Sequence, residues 1–267
     1  ADLQAGLLRI LHPASFVDDP TRMLRLARFA VRFGFEPSEE TRRALRAALG
    51  SEGRGSTLET VSPDRLAAEW ARGCSEPDPG ALLAWLSAWG LAAPLGLAAA
   101  GAQGAERVSA GRALCASEGR SWDPVLALGL ALAGQPCGPA RGALGLKGGP
   151  GDRLERLASV QERLGSSLAA AGSLDALERL LGPCSEAERT ALLVGAPERV
   201  AAVQRYEREA LGLSPLLGGR DLVAAGMVEG PALGAALSRV RSAQLQGEVA
   251  SRQEALALLG LDPPEAP

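Results

Sequence analysis

Apolar residues recur three and four positions apart along most of this chain, between turns rich in glycine and proline, and that spacing predicts helices nearly throughout. The clearest case is residues 19–34. Asp19-Pro20 is a helix start: the Asp accepts from free first-turn amides, and Pro fits the first helical position. At about 100° per residue, Met23, Leu26, Ala27, Ala30, Val31 and Phe33 form one apolar face suited to a core. Arg22, Arg25, Arg28 and Arg32 fall together on the other side, within an arc of about 120°. Phe29 sits among the arginines, where its ring can pack on a base or edge the core. Gly34 ends the helix.

Elsewhere the pattern is read more coarsely. Residues 1–14 predict a short helix and a turn, and residues 39–49 a basic helix carrying Thr41, Arg42, Arg43 and Arg46. Residues 50–57 form a Gly/Ser-rich link, the best domain boundary in the chain. Ser62-Pro63 opens a helix to about Cys74, and Ala81–Trp89 makes another. Trp70, Trp85 and Trp89 are expected to anchor the core, with base stacking as the alternative for one of them. Residues 96–121 are weakly patterned. Further helices are expected at 122–133, 152–168, 173–181, 185–193 and 197–210, separated by the loop-rich interval 134–150. In the 197–210 helix, Arg199, Arg205, Tyr206 and Arg208 read either as a surface for RNA or as a solvated face. The last unit predicts two small helices capped by glycines, before a frayed tail at 262–267. No stretch alternates as a sustained strand would, so the expected fold is all-α: many helices in an elongated, curved arrangement.

Composition narrows the chemistry. The 267 residues carry a net charge of −3, so a uniformly basic nucleic-acid binder is excluded and any such binding must use a local patch. Lys147 is the only lysine among 28 basic residues. A GC-rich genome accounts for that arginine excess as a whole, but not for the arc. Cys74, Cys115, Cys137 and Cys184 are far apart, which argues against zinc and for reduced thiols in a cytoplasmic protein. His12 is the only histidine, which excludes His-rich metal clusters, and its place ahead of the 19–34 helix argues against a Ser-His-Asp triad. No apolar run is long enough to span a bilayer.

Asp19 and Arg22 are three residues apart across the first helical turn, within reach of one planar ligand. Cytosine and adenine each offer an amino donor beside a ring-nitrogen acceptor. Aspartate only accepts and arginine only donates, so the pair matches that order, whereas guanine and uracil present the reverse. Taken alone, however, the same residues also read as a helix cap with a surface ion pair, and the arginine row as a solvated face.

Asp18-Asp19-x-x-Arg22-x-x-Arg25, followed by Arg28-Phe29-Ala30-x-Arg32-Phe33-Gly34-Phe35, resembles the neck-helix motif of the bacterial tRNA nucleotidyltransferase / poly(A) polymerase family. Weaker echoes are Val61-Ser62-Pro63-Asp64-Arg65-Leu66 with Glu69, and Gly90-Leu91 with Pro94; Gly219-Arg220-Asp221-Leu222 and the glycines after it resemble the close of the family's helical body. The resemblance implies that Asp19 and Arg22 act as a protein template for incoming CTP or ATP, with Arg25, Arg28 and Arg32 toward triphosphate or RNA backbone. The family commonly has Glu where Asp18 stands.

The resemblance further implies a neck (residues 1–55), a helical body (56–200) and a tail (201–267) that hold the 3′ end of a tRNA. The family's catalytic head binds Mg2+ through an Asp-x-Asp pair, and no Asp-x-Asp occurs here; the chain also starts without Met inside a matched pattern. The expectation is therefore the C-terminal, nucleotide-selecting and RNA-binding part of a larger enzyme, with the metal in a missing N-terminal head and no nucleotide addition by this chain alone. A bacterial poly(A) polymerase and a non-catalytic helical RNA-binding protein are the alternatives.

Overall fold

The computed structural model describes residues 2–50 and 56–261, so residues 51–55 of the link expected at 50–57, and the tail at 262–267, lie outside the described residues. The described chain opens with α1 (Asp2–Ala5), β1 (Leu7–Leu8), α2 (Ser15–Asp18), α3 (Thr21–Phe33), β2 (Glu36–Pro37) and α4 (Glu39–Leu49). It continues through α5 (Pro63–Cys74), α6 (Pro79–Ala88), α7 (Gly101–Glu118), α8 (Pro124–Ala131), α9 (Gly138–Ala143) and α10 (Gly148–Ala170). The remaining helices are α11 (Leu174–Leu181), α12 (Glu186–Leu193), α13 (Pro197–Tyr206), α14 (Gly219–Ala224), α15 (Pro231–Gln246) and α16 (Arg252–Leu259). The fold is all-α apart from one small parallel ladder, in which Leu7 pairs with Glu36 and Leu8 with Pro37.

That ladder corrects the expectation of a helix and turn over residues 1–14. Glu36 N–H donates to the Gly6 carbonyl at 2.8 Å and Ser38 N–H to that of Leu8 at 2.9 Å. Thr41, on the helix expected to be basic, is fully buried. Its hydroxyl donates to the Leu8 carbonyl and accepts from Ile10 N–H, both at 3.0 Å, so it clasps the strand to α4.

The ends of α3 follow their local chemistry. Asp19 is extended, and its Oδ1 accepts from the Thr21 amide at 3.2 Å and the Thr21 hydroxyl at 2.7 Å. Gly34, at φ 65°, adopts the left-handed conformation that closes the helix, with the Phe35 amide donating back to the Ala30 carbonyl at 3.1 Å. Met23, Leu26, Ala27 and Ala30 are buried as their spacing predicts, and Leu24, outside the predicted face, is buried as well. Phe33 is not: it is 54% exposed, with its ring against those of Phe29 and Phe35.

By contact density the chain forms two compact units. The first holds residues up to 163 together with 185–195, and the second holds 164–184 and the residues from 196 onward. In the first, Trp70 is buried and its indole N–H donates to the Pro124 carbonyl at 3.0 Å, while Trp122 donates to that of Cys74 at 2.9 Å. Both tie α5 to the start of α8. Trp85 and Trp89, expected in the core, are half-buried and stack on each other with centroids 5.3 Å apart. The weakly patterned stretch 96–121 contains α7. Its signal is absent because close packing here uses missing side chains: a Cβ on Gly80 of α6 would lie 2.3 Å from the Ala105 carbonyl oxygen, and one on Gly104 2.5 Å from that of Ala131. Arg107 caps the adjoining end of α8, donating to the carbonyls of Leu130 and Ala131 at 2.8 and 3.3 Å.

The second unit has its own core, built from Leu217, Leu222, Ala236, Val240, Ala255 and Leu256. Three helices rather than two close it, α14 to α16, with Gly247 and Gly260 in left-handed caps. Arg241 donates to the carbonyls of Leu213 and Ala210 at 2.8 and 3.1 Å and thereby holds the preceding loop.

Candidate nucleotide-reading site

The first turn of α3 presents Asp19 and Arg22 in fixed poses. Asp19 is partly buried, and its Oδ1 takes a third bond from Arg65 Nη2 at 2.9 Å, beside the two from Thr21. All three bonds end on Oδ1, and Oδ2 has no hydrogen-bond donor among the described residues. Burial pushes the Asp19 carboxyl up, but the Thr21 bonds and the Arg65 guanidinium outweigh it and hold the group below the usual carboxylate range. It is an anion at neutral pH, and only accepts.

Arg22 is held from the other side. Its Nη1 donates to the Ser15 hydroxyl at 3.0 Å and to the Ser15 carbonyl at 3.3 Å, and Nε and Nη2 take no acceptor among the described residues. Arg22, Arg25, Phe29 and Ser15 line a groove of about 350 Å3 with residues of the Leu8–Leu11 segment. Arg25 is exposed and makes no ion pair with a described residue. Asp19 stands at the first turn but does not line the groove.

Arg28 and Arg32 lie elsewhere. The carboxylate of Glu76, 1% exposed, receives Arg28 Nε at 3.0 Å and Arg32 Nε and Nη2 at 2.8 and 2.7 Å. Arg28 also stands 3.6 Å from Glu69, which is buried and bonded to Arg72. Burial pushes the Glu76 carboxyl up, but the Arg32 and Arg28 bonds prevail and hold it below its ordinary value. The arginine arc is therefore divided: Arg22 and Arg25 face the groove, whereas Arg28 and Arg32 neutralise a buried acid. The physical reason is that a carboxylate nearly out of water must be paired.

Sequence reasoning missed Ser15, Thr21, Arg65 and Glu76 as members of this constellation. Arg65 had a signal in Ser62-Pro63-Asp64-Arg65; Glu76 had none, because its partners lie 44 and 48 positions away. The residues of the 197–210 segment, read either as an RNA surface or as a solvated face, divide between core and surface. Tyr206 is buried, and Arg205 and Arg208 both pair with Glu209. All four cysteines are buried and free, and burial raises the thiols of Cys74, Cys115 and Cys137. Among the described residues no group of three or more His, Cys, Asp or Glu could hold a metal ion. Nor is any helix among them long and apolar enough to cross a membrane.

No protein-family model matches the chain. The chain is 47% identical over 79 residues to the multifunctional CCA protein of Nitrosomonas europaea, and 44% identical over 78 residues to the A-adding tRNA nucleotidyltransferase of Halalkalibacterium halodurans. These matches take in 30% and 29% of the chain and 18% of each relative's length. In fold it is similar over 97% of its length to the Thermotoga maritima CCA-adding enzyme solved with tRNA, at a TM-score of 0.75 and 20% identity. A CCA-adding enzyme solved with ATP gives 0.79 at 22% identity. The chain spans 64% and 63% of those two structures. The chain is thus similar in sequence, over about 30% of its length, to CCA-adding and A-adding tRNA nucleotidyltransferases, and similar in fold, over 97% of it, to CCA-adding enzymes.

Proposed function

We propose that this chain is the nucleotide-selecting and RNA-holding part of a tRNA nucleotidyltransferase that adds C, A or both to the 3′ end of tRNA from CTP and ATP. One observation carries the reading: Asp19 and Arg22 are each fixed through one atom and each keep a polar edge unbonded within one helical turn. Asp19 Oδ2 accepts from the exocyclic amino group of cytosine or adenine, and Arg22 donates to the neighbouring ring nitrogen. Guanine and uracil set a carbonyl against the carboxylate and an N–H against the guanidinium. Leaving such groups unpaired costs about 1–3 kcal/mol each, enough for strong discrimination.

Arg25, exposed on the same groove, is the candidate for triphosphate or RNA backbone. Arg28 and Arg32 support the reading helix through Glu76 rather than contacting ligand. The neck at residues 1–55 selects, while the body at 56–200 and tail at 201–267 hold the acceptor limb of the tRNA by shape and backbone. Mg2+ and the transfer step belong to a catalytic head outside this sequence, and free thiols with a tRNA partner fit the cytoplasm.

The test supplies CTP, ATP, GTP and UTP separately to the full-length protein with tRNAs ending at each stage of CCA. Incorporation of C or A but not G or U is expected, and none from residues 1–267 alone. Equal use of all four nucleotides would overturn the template, and turnover by the isolated chain would reveal a catalytic centre within it.

A further inference from the structure

Ser15 touches both halves of the reading pair. It is the first residue of α2, a single four-residue turn, and is 5% exposed. Its carbonyl accepts from the Asp19 amide at 3.4 Å, closing that turn, and from Arg22 Nη1 at 3.3 Å. Its hydroxyl accepts from the same Nη1 at 3.0 Å. Asp19's backbone and Arg22's guanidinium thus meet on one buried residue.

The consequence follows from guanidinium geometry. The group is planar, with donors in a fixed fork. Fixing Nη1 at two acceptors of Ser15 sets the plane and leaves the Nε–Nη2 edge unbonded. We infer that Ser15 is a positioning residue that sets nucleobase selectivity, by holding Arg22 so that one edge of its guanidinium is offered to the base. This rests on the proposed reading of Asp19 and Arg22. Without the hydroxyl the longer carbonyl contact remains, but a single bond lets the plane rock about it. A rocking donor meets the N–H of uracil or guanine with less penalty, because it can turn away. Selectivity should then fall more than affinity for the correct nucleotide.

The experiment compares wild-type, Ser15→Ala and Ser15→Thr in the full-length protein. Two readouts are taken: the ratio of CTP to UTP use, and the side-chain 15N spectrum of Arg22. Ser15→Ala should lower the CTP/UTP ratio about tenfold, the worth of one charge-assisted hydrogen bond. Ser15→Thr keeps the hydroxyl and should restore it. In the spectrum, the Arg22 Nη signals should be distinct in wild-type and Ser15→Thr but averaged by rotation in Ser15→Ala, with or without nucleotide. A wild-type ratio near one overturns the nucleotide reading, and this inference with it. A wild-type preference that Ser15→Ala keeps in full, or Arg22 signals unchanged by the substitution, overturns the positioning role alone.

Discussion

The two ends of α3 carry the same residue type on the same face and use it in opposite ways. At the first turn, Arg22 is held through one nitrogen by a serine and Arg25 by no described carboxylate; at the last turns, Arg28 and Arg32 close on the buried Glu76. What separates them is the partner's charge, since Ser15 and Glu76 are both buried but only Glu76 is an anion that needs cations. A carboxylate 1% exposed takes whatever cations can reach it, whereas the serine claims only one nitrogen of Arg22 and the rest of the fork stays available. An arginine's position on a helical wheel therefore does not reveal its task; the acid that reaches it does.

That contrast can be broken experimentally. The largest effect is expected at the anchored end. Glu76→Ala leaves Arg28 inside without its main acceptor and should cost about 3 kcal/mol of stability, seen in urea unfolding, with C-over-U selection unchanged. Lost selection at retained stability would mean that the division of α3 is wrong. At the reading end the expectation reverses. Asp19→Asn keeps an oxygen for the Thr21 amide, so stability should move by less than about 1 kcal/mol. The amide nitrogen it introduces replaces an acceptor with a donor, and selection for C and A over G and U should fall tenfold or more, by roughly the cost of one mispaired polar group.

The smallest effect is in acid. Because the Glu76 carboxyl is held below its ordinary value of 4.5, its contribution is fully present above that pH and is lost as pH falls through the lower folded value. Asp19 behaves in the same sense from 3.8. Unfolding midpoints measured from neutral pH downward should hold steady and then drop below about pH 4.5. Glu76→Gln should flatten that acid limb; an unchanged limb would place the titration elsewhere.

Much of α3 was legible in sequence because its determinants are local. Asp19-Pro20 starts it, Gly34 stops it, and the buried Met23, Leu26, Ala27 and Ala30 recur at helical spacing. Asp78, Asp123 and Ser185 mark other helix starts in the same way, each accepting from amides of the first turn. The rest depends on distant residues. Glu76 sits in a turn whose Glu-Pro-Asp gives no hint of two arginines arriving from α3. Trp85 and Trp89 looked like core by size, yet they satisfy each other at the surface, with Arg42 over the Trp89 ring. In α7 the packing surface is made partly of glycines, which leave no amphipathic trace. The proposed site was half visible: Asp19, Arg22 and Arg25 stood out by spacing, but neither the residues that hold them nor the pairing of Arg28 and Arg32 with Glu76 did.

The short ladder between β1 and β2 has a kinetic meaning. Leu7–Leu8 and Glu36–Pro37 are hydrogen-bonded neighbours, and Thr41 fastens the same strand to α4, so the segment holding α2 and α3 is a loop whose two ends are tied together. Unfolding a helix inside such a closure as a whole lengthens the loop that the ladder must close, which couples the clasp to the helix. Its amides should exchange with solvent as one cooperative block, with a protection shared by Glu36 and Ser38. Discrimination between bases would then be as durable as two strand residues and a buried threonine.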